Sequence, residues 1–440
     1  MSALRILSDT YSFYGCFYYF YLGSGKSTPT LSSCPYFRAS PSDTPEQSRH
    51  KQYAKCHIYS LALIFYLWDK PHYRKGSYSD DLLDNLRNVA IPGTGIPLSI
   101  FARGKILALL LVLLFYPLVS IIAAVHHVKN EKTEENDVAR EYSIRLLAPN
   151  DWFSLWRLNC RLVALHSLLH ANPPGYEMEN KWHFLVEGEK KNVPVSPFLK
   201  APSGIVVKHK NEEGGMGIHF YHNASDGGDW IIQNRIQNSE WVSGLLPKRA
   251  PLSTFRVITS STCCLDMETI ATPDRSGIKA LSCVFRAGRE GAATDHDSIL
   301  FDIDPATGVI GGGTTNAHWY RLGPHEILPG KCPWRSTHGT THHPDGNIPV
   351  TGNTLPNIKG ILELVEKGHL DLCPDVPLVG WDVVLSADSE VPICLLEVNL
   401  SCNFFRGSFD WGVYLDFVEK SFEKLHPLRV EAQNNGKKFK

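Results

Sequence analysis

Short apolar runs separated by Gly-rich turns fill the second half of the chain. They predict strands over residues 204–208, 230–236, 254–260, 280–286 and 298–303. Two further runs, Gly380-Trp381-Asp382-Val383-Val384-Leu385 and Leu395-Leu396-Glu397-Val398-Asn399, predict a hairpin across the turn at residues 387–390. Helical spacing appears elsewhere. Asn150 or Asp151 caps a helix carrying Trp152, Leu155, Trp156, Leu162, Val163, Leu165 and Leu169. Lys181 opens a second helix that should end before Pro194, and residues 356–370 form a third with proline at its start. A last helix covers about residues 412–425. The class is α+β, without repeats.

One segment has a different character. Ile106 to Val125 carries no charge, and at about 1.5 Å per residue it is long enough for the roughly 30 Å hydrocarbon core of a membrane. Pro117 is compatible with such a span. Arg103 and Lys105 flank one end, and His126, His127, Lys129 and Lys132 the other, so the basic residues set no orientation. The expected division is an irregular region over 1–104, a transmembrane helix over 105–126, a charged linker over 127–146, a folded domain over 147–430 and a polar tail over 431–440.

Composition narrows the class further. In 440 residues, 43% hydrophobic and 20% charged, there is material for two or three globular domains. A net charge of −1 and a pI near 7.0 give no reason to expect a nucleic-acid partner. The eleven cysteines lack paired spacing and sit mostly in apolar runs, which predicts buried free thiols in a reducing compartment.

The candidate chemistry lies on the predicted strands. Alternation puts Glu397 and Asn399 on one face, and hairpin pairing lets Asp382 join them. Three hard oxygen donors suit Mg²⁺ beside a nucleotide phosphate; the plainer reading is a wet sheet face. Lys208 ends a strand and is followed by Gly214, Gly215 and Gly217, a loop whose N–H groups could approach a polyphosphate or simply turn a hairpin. Arg256, in the middle of an apolar strand, needs a carboxylate or a ligand phosphate. Arg286 and Arg289 pose the same choice, with more weight on the surface. Two tempting motifs are set aside. Residues 23–28 (GSGKST) have Phe20 where a P-loop needs its first glycine, and residues 338–343 (HGTTHH) lack carboxylate or thiolate partners at zinc spacing.

In this order the motifs resemble the ATP-grasp superfamily, and in particular its sugar-transfer-associated or alpha-L-glutamate-ligase-related members. The likeness runs from about Asp151 to Leu425. It rests on Lys208 with the glycine loop, Trp230-Ile231-Ile232-Gln233-Asn234-Arg235-Ile236, the strand from Leu252 to Thr259, Phe285-Arg286-Ala287-Gly288-Arg289 with Asp295 and the turn at residues 304–308, and finally Asp382 with Glu397-Val398-Asn399. The resemblance implies two α+β subdomains gripping ATP. Lys181 and Lys208 would then contact phosphates, Gly214, Gly215 and Gly217 would cover them, and Gln233, Asn234 and Arg235 would meet adenine. Asp382, Glu397 and Asn399 would hold Mg²⁺, or Mn²⁺ in its place, and Arg256 would face the transferred phosphate, making Arg256 and Lys208 the catalytic cations. Departures fall around the acceptor: His209 stands where proline is usual, Asp295-His296 where Asp-Asn is frequent, and Ser401-Cys402-Asn403 where peptide-forming members have a Pro-Gly turn.

The implied activity is ATP- and Mg²⁺-dependent ligation, in which a carboxylate becomes an acyl phosphate and is attacked by an amine or similar nucleophile. A kinase acting on a small-molecule or sugar hydroxyl, or a nucleotide-binding pseudoenzyme serving as an interaction module, would use the same grip. The expected partners are ATP, an acceptor that the sequence does not name, and a membrane reached through residues 106–125. A single-pass protein with its ATP-using domain in the cytosol is the expected arrangement.

Overall fold

A computed structural model describes residues 2–22, 30–74, 76–87, 97–130, 137–149, 152–200, 204–208, 210–211, 218–295, 298–314, 339–400 and 408–436. Its chemistry rests on a sheet. The apolar runs form β1 (Gly204–Lys208), β2 (Ile218–His222), β3 (Thr254–Ser261), β4 (Ile278–Gly288), β5 (Ser298–Ile303) and β6 (Ile310–Thr314). They continue as the two-residue strands β7 (His342–His343) and β8 (Ile348–Pro349), then β9 (Leu378–Leu385) and β10 (Ile393–Asn399). Six of these pair antiparallel in the order β10-β9-β3-β4-β5-β6, while β1 and β2 stand apart as a two-stranded hairpin. The fold is mixed α and β. The expected strand over 230–236 is replaced by extended chain with isolated bridges, Phe198 to Gln233 and Asn223 to Trp230, because it crosses between the hairpin and the sheet without a continuous partner.

Alternation sorts the sheet residues onto two faces. On the inner face Trp381, Phe255, Phe285 and Phe301 are fully buried, and the Phe255 and Phe285 rings stack at 5.0 Å. Helix Ile358–Leu372 lies over this face, two residues later at each end than the spacing predicts. Its His369 reaches Thr259 Oγ1 (2.7 Å), which also accepts from Trp381 Nε1 (2.8 Å).

The helices number α1 (Ser2–Leu22), α2 (Pro45–Leu67), α3 (Tyr78–Leu86), α4 (Lys105–Lys129), α5 (Val138–Leu147), α6 (Trp152–Leu169), α7 (Lys181–Lys190), α8 (Ile358–Leu372) and α9 (Trp411–Asn434). The described residues among the first 104 are therefore largely helical rather than irregular. A capping box of Thr44 and Gln47 starts α2, and its C-terminal half is buried on every side among α1, α6 and α9, so no amphipathic period marks it. One continuous hydrophobic core joins these N-terminal helices to the sheet layer, so the boundary expected at residues 104–147 does not divide the packing. The expected charged linker contains α5, whose Tyr142, Leu146 and Leu147 are buried. Helix α9 runs past Pro427 to Asn434, where a polar tail was expected. Tertiary contacts outweigh the proline: Phe422 packs edge-on against Tyr59, and His426 Nδ1 lies 2.8 Å from Tyr59 Oη.

The uncharged run lies in α4, a helix long and apolar enough to cross a membrane. Residues Leu111–Phe115 widen into a π-helical turn just before Pro117. Proline lacks the N–H that would pair with the carbonyl four residues earlier, and that carbonyl, Leu113 O, instead accepts from Tyr14 Oη at 2.5 Å. All nine described cysteines are buried and free, as their apolar settings predict.

Candidate functional site

The outer face of the same sheet carries charge where the inner face carries rings. Register places Glu397 of β10 opposite Asp382 of β9, and Asp382 opposite Arg256 of β3. A β-bulge makes the first of these pairs. Leu395 faces Val383, and regular pairing would then set Leu396 against Asp382 and Glu397 against Trp381, on the core side. The extra residue, Leu396, shifts Glu397 onto the outer face beside Asp382 and leaves Asn399 opposite Gly380. The sequence offers no glycine or other sign of this bulge.

Arg256 and Asp382 form a two-point fork: Nε donates to Oδ1 at 2.6 Å and Nη2 to Oδ2 at 3.0 Å. Arg286 Nη1 approaches Asp382 Oδ2 at 3.4 Å, and its Nη2 pairs with Asp295 Oδ1 at 3.1 Å. Asp295 is fixed in turn by Thr254, whose Oγ1 donates at 2.5 Å and whose N–H donates at 3.2 Å. Arg286, weighted towards the surface by its sequence context, is thus a nearly buried member of the site. Arg289 pairs elsewhere, with Asp345. At the opposite edge Lys181 Nζ, at the N-terminus of α7, lies 2.5 Å from Glu397 Oε2. Asn399 Nδ2 lies 3.5 Å from Asp382 Oδ2. Side-chain exposure rises along this ribbon from 5% at Asp382 to 26% at Glu397 and 64% at Lys181, so the network opens to solvent at the Lys181 end.

Burial alone would push the Asp382 carboxyl up, but Arg256 and then Arg286 outweigh it and hold the group below the ordinary carboxylate range. Asp295 goes the other way. There burial prevails over Arg286 and Thr254, and its carboxyl is raised.

Next to the ribbon lies a cavity of about 270 Å³, lined by Pro197, Asn234, Arg235, Ile236, Gln237, Ser386, Ala387, Asp388, Val391 and Cys394. It sits where the 230–237 crossing segment meets the β9–β10 turn, held by the Ala387 N–H to Gln237 O bond (3.0 Å) and by Ser239 N–H to Leu385 O (2.9 Å). Cys394 is two register pairs from the Glu397–Asp382 pair, so cavity and ribbon are separated by roughly 7 Å along the strand. Of the three residues expected at adenine, Asn234 and Arg235 line the cavity, whereas the Gln233 side chain bonds Ser196 Oγ.

Lys208 ends β1, exposed on the separate hairpin rather than on the sheet. Gly214, Gly215 and Gly217 lie outside the described residues, as do His209, His296, the segment at 401–403 and residues 23–28. The described residues 339–343 do not converge on a metal: His342 is exposed, and His343 is buried with Nε2 3.1 Å from Gly288 O, while His338 lies outside the described residues.

Among the described residues no group of three or more His, Cys, Asp or Glu side chains is arranged to hold a metal ion by itself. The ribbon is balanced instead, with Asp382, Asp295 and Glu397 set against Arg256, Arg286 and Lys181. A bare cation would have to displace a guanidinium or an ammonium. A cation bound to a polyphosphate brings a partner for each side, since the phosphate oxygens suit the three basic groups and the cation suits Asp382, Glu397 and the Asn399 amide turned to present its oxygen. The donor set therefore fits a magnesium nucleotide better than free magnesium. No family model matches the chain, and no curated protein matches it.

Proposed function

We propose that the charged face of the sheet binds Mg²⁺·ATP and that the protein is an ATP-dependent ligase of the carboxylate–amine kind, built on an ATP-grasp plan. The observation that carries this reading is the exchangeable ion-pair ribbon, Lys181–Glu397 and Arg256–Asp382–Arg286–Asp295, set on one sheet face beside a cavity at Asn234 and Arg235. Adenine enters the cavity against the crossing segment. The phosphates extend over the ribbon, where Lys181, Arg256 and Arg286 neutralise them and Lys208 closes on them from its hairpin. Asp382, Glu397 and Asn399 would hold magnesium, which would supply charge neutralisation to the phosphates. Phosphoryl transfer to the acceptor carboxylate releases ADP. The nucleophile then attacks the acyl carbon, phosphate leaves, and an amide remains. A kinase would use the same grip and differ in product, giving ADP and a stable phosphoester without free phosphate. The apolar helix α4 associates the protein with a membrane, with the nucleotide site on the cytosolic side where ATP and reduced thiols coexist.

Titration calorimetry of the full-length protein tests the site. Mg²⁺·ATP should bind, while Mg²⁺ alone and ATP with a chelator should not. Glu397 is part-exposed, and its one cationic partner among the described residues is Lys181, so Glu397→Gln should cost at most about 1 kcal/mol of stability. The same change should abolish ATP turnover. Unchanged ATP-dependent activity in a folded Glu397→Gln protein would sink the assignment.

A further inference from the structure

We infer that α4 does not cross the membrane but lies in its plane, seating one side in a single leaflet of an anionic phospholipid surface together with the outer side of α1. The inference builds on the membrane association read from α4 and is independent of the nucleotide site.

The two sides of α4 differ. Ile106, Leu110, Leu114, Leu118 and Ile122 recur every four residues and are 43% to 75% exposed, an apolar row about 24 Å long. On the other side Ala108, Val112, Ser120, Ala123 and Ala124 are buried against the body of the protein. Tyr116, near the middle of the uncharged run, shows what that body contains. Its hydroxyl donates to Arg145 O (2.7 Å) and lies 3.2 Å from His57 Nε2, and the Arg157 guanidinium sits over its ring at 5.8 Å. The partner helix α5 also brings the Arg145–Glu141 pair against α4. If α4 spanned, these charged and imidazole groups would be carried to mid-membrane depth along with their backbone attachments, where each is costly. Among the described residues of α4, the exposed row, flanked by Leu107 and Phe115 at 41% exposure, is the side that can meet lipid.

Helix α1 widens that row. Leu4, Leu7, Tyr11, Tyr18 and Leu22 follow helical spacing and are 43% to 74% exposed. The two helices touch through the Tyr14 Oη to Leu113 O bond and the Phe13 and Tyr116 rings, 6.0 Å apart. Charge identifies the occupant. No Asp or Glu occurs from Ala102 to Asn130, while Arg103, Lys105 (3.8 Å from Asp69 Oδ2, both exposed) and Lys129 bracket the row and are exposed, with the acidic residues Glu131, Glu134 and Glu135 following only beyond it in the sequence. Basic residues at both ends of an apolar face, with tyrosines among its leucines, match the headgroup level of an anionic bilayer. A second copy of the same face would set these basic ends against each other or leave them unused.

Two measurements on the full-length protein test this. In vesicle flotation the protein should rise with phosphatidylcholine vesicles containing phosphatidylserine, and about tenfold less with phosphatidylcholine alone. The double substitution Leu114→Glu with Leu118→Glu, at exposed positions, should abolish flotation while leaving the circular dichroism melt in place. For topology, Arg103→Cys and Lys129→Cys variants bound to sealed vesicles are treated with an impermeant maleimide. Both positions should label from outside. Labelling at one end only would mean that the helix spans, and flotation unchanged by the two glutamates would mean that another surface binds; either result overturns the inference. Dimerisation in solution through this face, without flotation, would overturn it equally.

Discussion

The two faces of the central sheet are made by the same strands and meet opposite fates. On β3 and β9 the residues Phe255, Val257, Trp381 and Val383 point inward to rings and to α8, while their neighbours Arg256 and Asp382 point outward into a fork of charge. The inner face gains stability from buried apolar surface, at about 25 cal/mol per Å². The outer face also removes ionised groups from water, and a paired charge of that kind is poor evidence of net stabilisation. What differs is thus not burial but what burial achieves. The inner face holds the sheet together, and under the proposed function the outer face holds partners that a nucleotide would replace.

Among truncations of apolar side chains, the largest effect should come from the inner face. Trp381→Ala removes the largest fully buried side chain of the sheet, together with its N–H to Thr259, and should cost about 3–5 kcal/mol in chemical denaturation. No comparable loss should follow from any single part-exposed residue of the outer ribbon. A Trp381→Ala protein as stable as the parent would erase the distinction between the faces.

Acid should also act first on the inner face, although the charge is outside. Burial lowers His369 from 6.5 to about 4. Its Nε2 donates to Val376 O and its Nδ1 accepts from Thr259, so the folded state keeps the ring neutral while the unfolded chain protonates it below 6.5. The unfolded state then binds more protons, and stability falls as pH drops from 6.5 to about 4, by on the order of 3 kcal/mol. Asp382 has the ordinary sign for a depressed carboxylate: its contribution is present above the unfolded value and lost only as pH falls below it. Denaturant midpoints measured from pH 7 to pH 4 should decline, and His369→Gln should make that slope shallower by the His369 share, His57, His72, His166 and His426 being lowered by burial as well. An unchanged slope in the variant would show that other buried histidines set it.

Much of this contrast was legible in the sequence, and the rest was hidden for identifiable reasons. Alternation in Val257-Ile258-Thr259 and Trp381-Asp382-Val383 marked the strands and put Glu397 with Asn399 on one face. An arginine amid apolar residues implied that Arg256 needed a partner. Which partner could not be read, because Asp382 lies 126 residues away and only the sheet order brings them together. The bulge at Leu396 was invisible because Leu395-Leu396 breaks no pattern. The N-terminal helices escaped for the opposite reason: α2 is apolar on all sides where it enters the core. Its capping box, Thr44-Pro45-Glu46-Gln47, was nevertheless a readable start signal.

The smallest expected effect on stability tests the comparison most sharply. Removing one partner of the Arg256–Asp382 fork takes the two-point contact from a charge that is 9% or 5% exposed and leaves it only weaker contacts, and should cost about 3–5 kcal/mol. Removing both, by Arg256→Met with Asp382→Leu, strands neither. The apolar pair then meets Val284 and Val384, its outer-face neighbours, and Arg286 keeps Asp295. The double variant should therefore lie within about 1 kcal/mol of the parent, or exceed it. Yet it has lost one of the cations proposed to face phosphate and the central carboxylate, so Mg²⁺·ATP binding measured by calorimetry should vanish. A face kept for stability would give the reverse, a double variant as unstable as the singles. Parent-like stability without nucleotide binding is the pattern expected when charge is retained for a ligand rather than for the fold.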